Sequence, residues 1–258
     1  MKKAILILGI LVVIFSQAKA QETITISGRV TDFDGNPIDS SIVKLNYPDF
    51  GTAAYETHTD KDGYYKIENV EKGKYISLFA MRMKEYPRAN AVDEEDMRLE
   101  FWAWNIIADR DLTINPRYHK LEIYGTTVFK EFGGATGFFI YFRPMSVTKY
   151  ISYSKELYLD KKAAEKAMDV SIDPEHLEVK IYADEEPLNI NSIQQIDLFT
   201  GKGNQPMKGY LLQVDEPVNK TLKPYIIFKV EANNKEHDEK GESIYFYELP
   251  KFKERTIK

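Results

Sequence analysis

Few side chains in this 258-residue sequence have types and spacing that could do chemistry. His119-Lys120-Leu121-Glu122 sets an imidazole and a carboxylate three residues apart, a spacing with which metallocarboxypeptidases hold zinc. On a strand, residues three apart project to opposite faces, so this pair does not converge on one ion without a turn. A third ligand would have to come from His176 or His237. No metal site is therefore expected. Asp32/Asp34 and Asp60/Asp62 resemble fragments of calcium loops, and Asp93-Glu94-Glu95-Asp96 gathers four carboxylates. Neither aspartate pair has the distant bidentate glutamate of a helix–loop–helix calcium site, and each runs straight into a glycine. Turns are expected at both, and a solvated loop at the acidic run. Gly133-Gly134-Ala135-Thr136-Gly137 has a phosphate-loop composition, but an aromatic strand follows it instead of a helix, so a hairpin or bulge is expected. No Gly-x-Ser-x-Gly elbow occurs, and four histidines leave little for acid–base work. The reading is no catalytic residue, no metal, no cofactor and no enzyme.

The remaining candidates are aromatic. Trp102 and Trp104, the two tryptophans, share one face of an alternating segment over residues 98–107, with Glu100 beside them and Leu99, Phe101 and Ala103 opposite. Tyr86 lies in the segment just before. An exposed aromatic face stacks on sugar rings, whereas a buried one packs a core or an interface. Burial in a core or between domains is the more usual place for tryptophan, and Trp102, Trp104 and Tyr86 are the candidate ligand-binding residues if the face is open.

Composition bounds the rest. A hydrophobic content of 43% with 29% charge belongs to a folded chain, and 258 residues suffice for two ordinary domains. The net charge is −5 and the first twenty residues carry three lysines, so the remainder is more acidic still. That excludes the basic stripe a nucleic-acid partner needs. Lys2 and Lys3, an apolar run over residues 4–15 and the small-x-small Ala18-Lys19-Ala20 read as a signal peptide over residues 1–20, cleaved before Gln21. Cysteine is absent, so disulfides, thiolate metal sites and a lipid-acylated cysteine are excluded. No later segment is apolar for long enough to cross a bilayer, and no stable membrane insertion is expected after cleavage.

Residues 22–31 alternate, with Ile24, Ile26, Gly28 and Val30 on one face. Asp32-Phe33-Asp34-Gly35-Asn36-Pro37 closes that strand, residues 41–47 and 53–59 give two more, and Asp60-Lys61-Asp62-Gly63 signals a hairpin. Residues 64–67 return, Glu71-Lys72-Gly73 turns, and residues 75–81 alternate again. Gly28-x-Val30-x-Asp32-x-x-Gly35-x-Pro37, then Thr59-Asp60-x-x-Gly63-x-Tyr65-x-Ile67, then Gly73-x-Tyr75, resembles the carboxypeptidase regulatory-like domain. The resemblance covers residues 22–82 through its turn motifs and reaches loosely to 115. It implies a transthyretin-like (prealbumin-like) β-sandwich of about seven strands, frequent at the N-terminus of exported Bacteroidetes-type proteins, in an accessory role with no catalytic residues.

Residues 83–97 read as an exposed insertion, residues 111–114 as a last strand, and Asn115-Pro116 as a boundary. Beyond it, extended runs at 118–124, 138–142, 177–182, 193–199, 209–214, 225–231 and 243–249 surround one helix over 160–168, capped by Asp160. The loop at 233–241 is expected to be a charged hairpin. The sequence thus predicts an all-β chain of two tandem β-sandwiches after the signal peptide, the first over 21–115 and the second, immunoglobulin-like with one short helix, over 116–258. Its expected function is that of a non-enzymatic exported envelope protein, a binding or scaffolding module, periplasmic, outer-membrane-associated or secreted. Its partner would be an envelope protein or a glycan. The alternative is carbohydrate binding through the aromatic face of the first domain.

Overall fold

A computed structural model of the protein describes residues 22–49, 52–134, 136–199 and 207–251. The signal-peptide assignment, Ala135 of the glycine-rich stretch and the tail after Lys251 lie outside them. The chain is all-β in a sandwich architecture. The first half contributes β1 (Thr23–Arg29), β2 (Ile42–Asn46), β3 (Ala53–His58), β4 (Tyr64–Glu71), β5 (Gly73–Met81), β6 (Phe101–Ala108) and β7 (Leu112–Thr113). The second contributes β8 (Leu121–Phe129), β9 (Phe138–Ser146), β10 (Leu177–Ala183), β11 (Glu186–Leu188), β12 (Ile190–Leu198), β13 (Met207–Val214), β14 (Tyr225–Asn234) and β15 (Glu239–Glu248). Three short helices, α1 (Val147–Ile151), α2 (Lys155–Leu159) and α3 (Lys161–Ala167), follow β9.

The turns form where short polar side chains can bond their own backbone. Asp32 accepts from the amides of Asp34 and Asn36, each at 2.9 Å, and Gly35 takes φ +85°. Asp60 repeats the device with the amides of Asp62 and Tyr64, and Gly63 takes φ +82°. These aspartates serve turns. Gly28 has a different task. A Cβ there would lie 1.7 Å from the carbonyl oxygen of Ile114, which also accepts the Tyr65 hydroxyl at 2.8 Å. Only a bare backbone admits that approach.

Three sheets result. A three-stranded sheet, β4-β1-β7, and a four-stranded one, β12-β13-β9-β8, each cover part of an eight-stranded sheet ordered β11-β10-β14-β15-β6-β5-β2-β3. The long sheet is continuous because β15 pairs parallel to β6, Ser243 beside Trp102 and Tyr245 beside Trp104. One core fills the first sandwich around Ile26, Val43, Leu45 and Phe101; a second lies between β8, β9, β13 and β10, β14 around Ile123, Phe142, Leu212 and Phe228.

Several local expectations change. The insertion over 83–97 is three 3-10 turns, and its Met97, with Leu99 and Val147, makes a small third core against which Tyr86 packs. Helices α1 and α2 join the expected α3, and β11 is an added strand. The charged hairpin expected over 233–241 is present but tighter: its turn is residues 235–238, and the flanking residues extend β14 and β15.

Arg117 ties the halves together. Its guanidinium meets Glu242 and Glu231 and lies 4.9 Å from the Phe33 ring, while its amide donates to Glu242 at 3.0 Å. The Glu242 side chain is 2% exposed, and burial pushes its carboxyl up while Arg117 opposes that shift. Replacing Arg117 with Met strands a buried carboxylate, so Arg117→Met should cost about 3 kcal/mol in urea unfolding. Gly28→Ala should cost about as much, because the clash is with fixed backbone; an unchanged midpoint would disprove the close approach.

Candidate functional site

A cleft of about 300 Å³ opens where the 83–97 insertion meets β8, β9, β13 and the helices. Tyr86 and Arg88 come from the insertion, Glu100 from the residue before β6, Glu122 and Tyr124 from β8, Arg143 from β9 and Tyr150 from α1. Each half thus supplies part of the wall.

The floor is a pair of carboxyl groups. Glu122 is 3% exposed, accepts from Trp102 Nε1 at 2.9 Å and is hydrogen-bonded to Glu100. Burial pushes Glu100 up to about 7, against the bonds from Trp102 and Glu122 and the charge of Arg88. Burial, reinforced by the charge of Glu100, drives Glu122 well above the ordinary carboxylate range. The physical reason is that two adjoining carboxyls taken from water cannot both ionise, so the pair keeps a proton at neutral pH. Arg143 places its guanidinium 4.9 Å from the Tyr124 ring and donates through Nη1 to the Met207 sulfur at 2.6 Å. Arg88 Nε donates to Tyr150 Oη at 3.4 Å. Glu100 Oε2 and Arg143 Nε are buried and unpartnered among the described residues.

The expected aromatic site divides. Trp102 and Trp104 do share a face and stack with centroids 4.9 Å apart, but they are 7% and 9% exposed. Their role as an open sugar platform is therefore corrected. Strand β8 crosses over them, and Tyr124 meets both indoles edge-on at 5.4 and 5.3 Å. An alternating strand usually shows one face to water; β6 is covered on both. Trp102 reaches the cleft through its bonds to the carboxyl floor, whereas Tyr86 lines the wall itself.

His119 and Glu122 are not brought together. His119 sits near Arg98, Lys120, Asp32 and Asp34, and burial lowers its pKa. Among the described residues no group of three His, Asp or Glu side chains is placed to hold a metal ion. The sequence reading missed Glu100, Glu122, Arg143, Tyr124 and Tyr150 as one group. A signal was present in two of them: Glu100 shares a strand face with two tryptophans, and Arg143 interrupts the run Phe138-Phe139-Ile140-Tyr141-Phe142.

No family model matches the chain, and no curated protein does. Among solved structures it is similar to BcpA, the major pilin subunit of Bacillus cereus, at 13% identity and a TM-score of 0.27, over 88% of this chain and 69% of that one. It is also similar to the full-length major pilin SpaD from Corynebacterium diphtheriae, at 11% identity and a TM-score of 0.25, over 87% of this chain and 64% of that one. Likeness at this level bears on neither function nor partner.

The carboxyl pair makes stability depend on pH in a defined direction. The folded chain holds protons that an unfolded carboxylate, with its pKa near 4.5, releases, so stability falls as pH rises from about 5 through 7. The slope for each titrating group is at most about 1.4 kcal/mol per pH unit. Glu122→Gln keeps an acceptor for Trp102 and a donor for Glu100, and should flatten the fall in thermal midpoint between pH 5 and 8. A wild-type midpoint that rises across that range would contradict the assignment.

Proposed function

We propose that this chain is an exported, non-enzymatic envelope protein that works by binding, with the cleft as its recognition site. The observation that carries the reading is the cleft's unmet hydrogen-bonding capacity. Glu100 Oε2 and Arg143 Nε lie buried at an aromatic-walled opening, unpartnered among the described residues. Leaving such an atom unpaired costs about 1–3 kcal/mol, which a ligand carrying the complementary groups offsets.

Binding is favoured over turnover because the reactive types in the cleft are already engaged. Glu122 is held by Trp102 and Glu100, the Ser146 hydroxyl caps the Lys149 amide, and the Ser171 hydroxyl donates to Asp169. No histidine lines the cleft. Export rests on the sequence of residues 1–20, and places the mature chain in the periplasm, at the outer membrane or outside it. Among the described residues no helix is long and apolar enough to cross a membrane. The first half is assigned to the carboxypeptidase regulatory-like type, supported by its Asp32 and Asp60 turns and the close approach at Gly28. Glycan binding is the second reading. With the indoles covered, its aromatic contacts fall to Tyr86, Tyr124 and Tyr150.

The test is a thermal-shift screen of residues 21–258 against neutral and acidic oligosaccharides, peptides and small organic acids. A true ligand at a hundred times its Kd should add about 2.7 kcal/mol of stability. Tyr86→Ala should remove most of that gain, and the recovered ligand should be chemically intact. Consumption of the ligand, or stabilisation indifferent to Tyr86, would overturn the proposal.

A further inference from the structure

Resting on the binding reading above, we infer that the cleft takes a small organic carboxylate with an apolar body, its carboxylate between Arg88 and Arg143. The first observation is a charge imbalance. Arg82, Arg98, Arg110 and Arg117 are each paired with a carboxylate, whereas Arg29, Arg88 and Arg143 have no ion pair among the described residues, and of these three Arg88 and Arg143 share one opening. Their side-chain partners are a tyrosine hydroxyl and a methionine sulfur, the latter a weak acceptor. Both guanidiniums line the same opening, and Arg143 Nε is buried there without a partner. A planar guanidinium matches a carboxylate in a bidentate pair better than any other group.

The nearby acids do not supply that partner. Glu100 and Glu122 bond to each other, and burial holds a proton on the pair at neutral pH. Glu122 holds that proton and donates it to Glu100, so the pair carries no more than one negative charge against the two guanidiniums. Glu165 and Asp169 also line the cleft; Glu165 acts on Arg88 by its charge without forming an ion pair, and Asp169 takes the Ser171 amide and hydroxyl. Lys208 is already paired with Asp197.

The rest of the wall fixes the ligand's body. Leu99, Met145, Ala164, Met168 and Met207 present apolar surface, three of them unbranched thioethers that reshape around a guest. Tyr86, Tyr124 and Tyr150 add flat rings. At about 300 Å³ the space lies at the small end of ligand pockets, suited to one ring or a short chain. Two sources carry this chemistry: a free aryl or acyl acid, and the carboxy-terminal residue of a peptide.

Calorimetry supplies the test, with tryptophan fluorescence as a second readout because Trp102 bonds to the floor. The probes are N-acetyl-L-phenylalanine, its neutral amide, octanoate, the tripeptide Gly-Gly-Phe and galacturonate. The inference expects N-acetyl-L-phenylalanine or octanoate to bind, with the amide at least tenfold weaker. Arg143→Gln and Arg88→Gln should each weaken binding about tenfold or more, Arg88 being exposed and outside the strand framework, where folding is not at stake. Gly-Gly-Phe binding more tightly than octanoate identifies a peptide terminus as the source, and the reverse a free acid. An amide that binds as well as the acid overturns the inference while leaving the binding reading intact. So does galacturonate binding in preference to the apolar acids. Failure of every apolar carboxylate at millimolar concentration overturns the inference, and the Tyr86→Ala comparison separately decides the broader reading.

Discussion

The parallel pairing of β15 with β6 is the constraint on which the rest of this structure depends. It turns β6 from an edge into an interior strand of an eight-stranded sheet, and both faces of that strand are covered. Strand β8 packs over one of them, which buries Trp102 and Trp104 and brings Glu122 against Glu100. Side-chain bonds lock the junction: Ser243 Oγ donates to the Trp102 carbonyl at 3.0 Å, and Asn105 Nδ2 to the Phe246 carbonyl at 2.7 Å. Asn105 does so from φ +53° in mid-strand, a left-handed kink that asparagine tolerates better than most residues. Gly241 completes the fit. Its missing Cβ would lie 2.3 Å from the Leu121 carbonyl of β8.

The same burial sets the electrostatics. Around Arg117 the protein answers a buried carboxylate with a cation and a ring. In the cleft it separates the two devices: the carboxyls are answered by each other and by an indole, and the arginines by neutral groups. One arrangement holds the halves together; the other leaves directional bonding capacity at a surface opening. The contrast lies in who supplies the last partner, the chain or something from outside it.

Much of the fold was legible because it is written locally. Period-two alternation marked β1, β2, β5 and β14, and the aspartate–glycine turns fixed two early reversals. Asp160 marked the start of α3, whose Lys162 and Ala163 amides it caps. What escaped depends on partners far away in sequence. Nothing within ten residues of Trp102 states that Ser243 will lie beside it, so packing and an open platform could not be separated from the local pattern. Glu122 attracted attention as a metal ligand, when its environment is a second glutamate on a different strand edge. Helices α1 and α2 are a single turn or little more each, too short for a periodic pattern to declare them.

The order of strands along the chain also sets an order of events. On a chain made from its N-terminus, residues 101–108 emerge long before residues 239–248, their neighbours in the sheet. In that interval β6 presents an apolar, aromatic edge whose backbone groups await a mate, the kind of surface that recruits other strands. Closing a contact across some 140 residues is slow. Until β15 arrives, a nascent chain carries at β6 an unpaired edge open to other strands, and the last strand to arrive is the one that covers it.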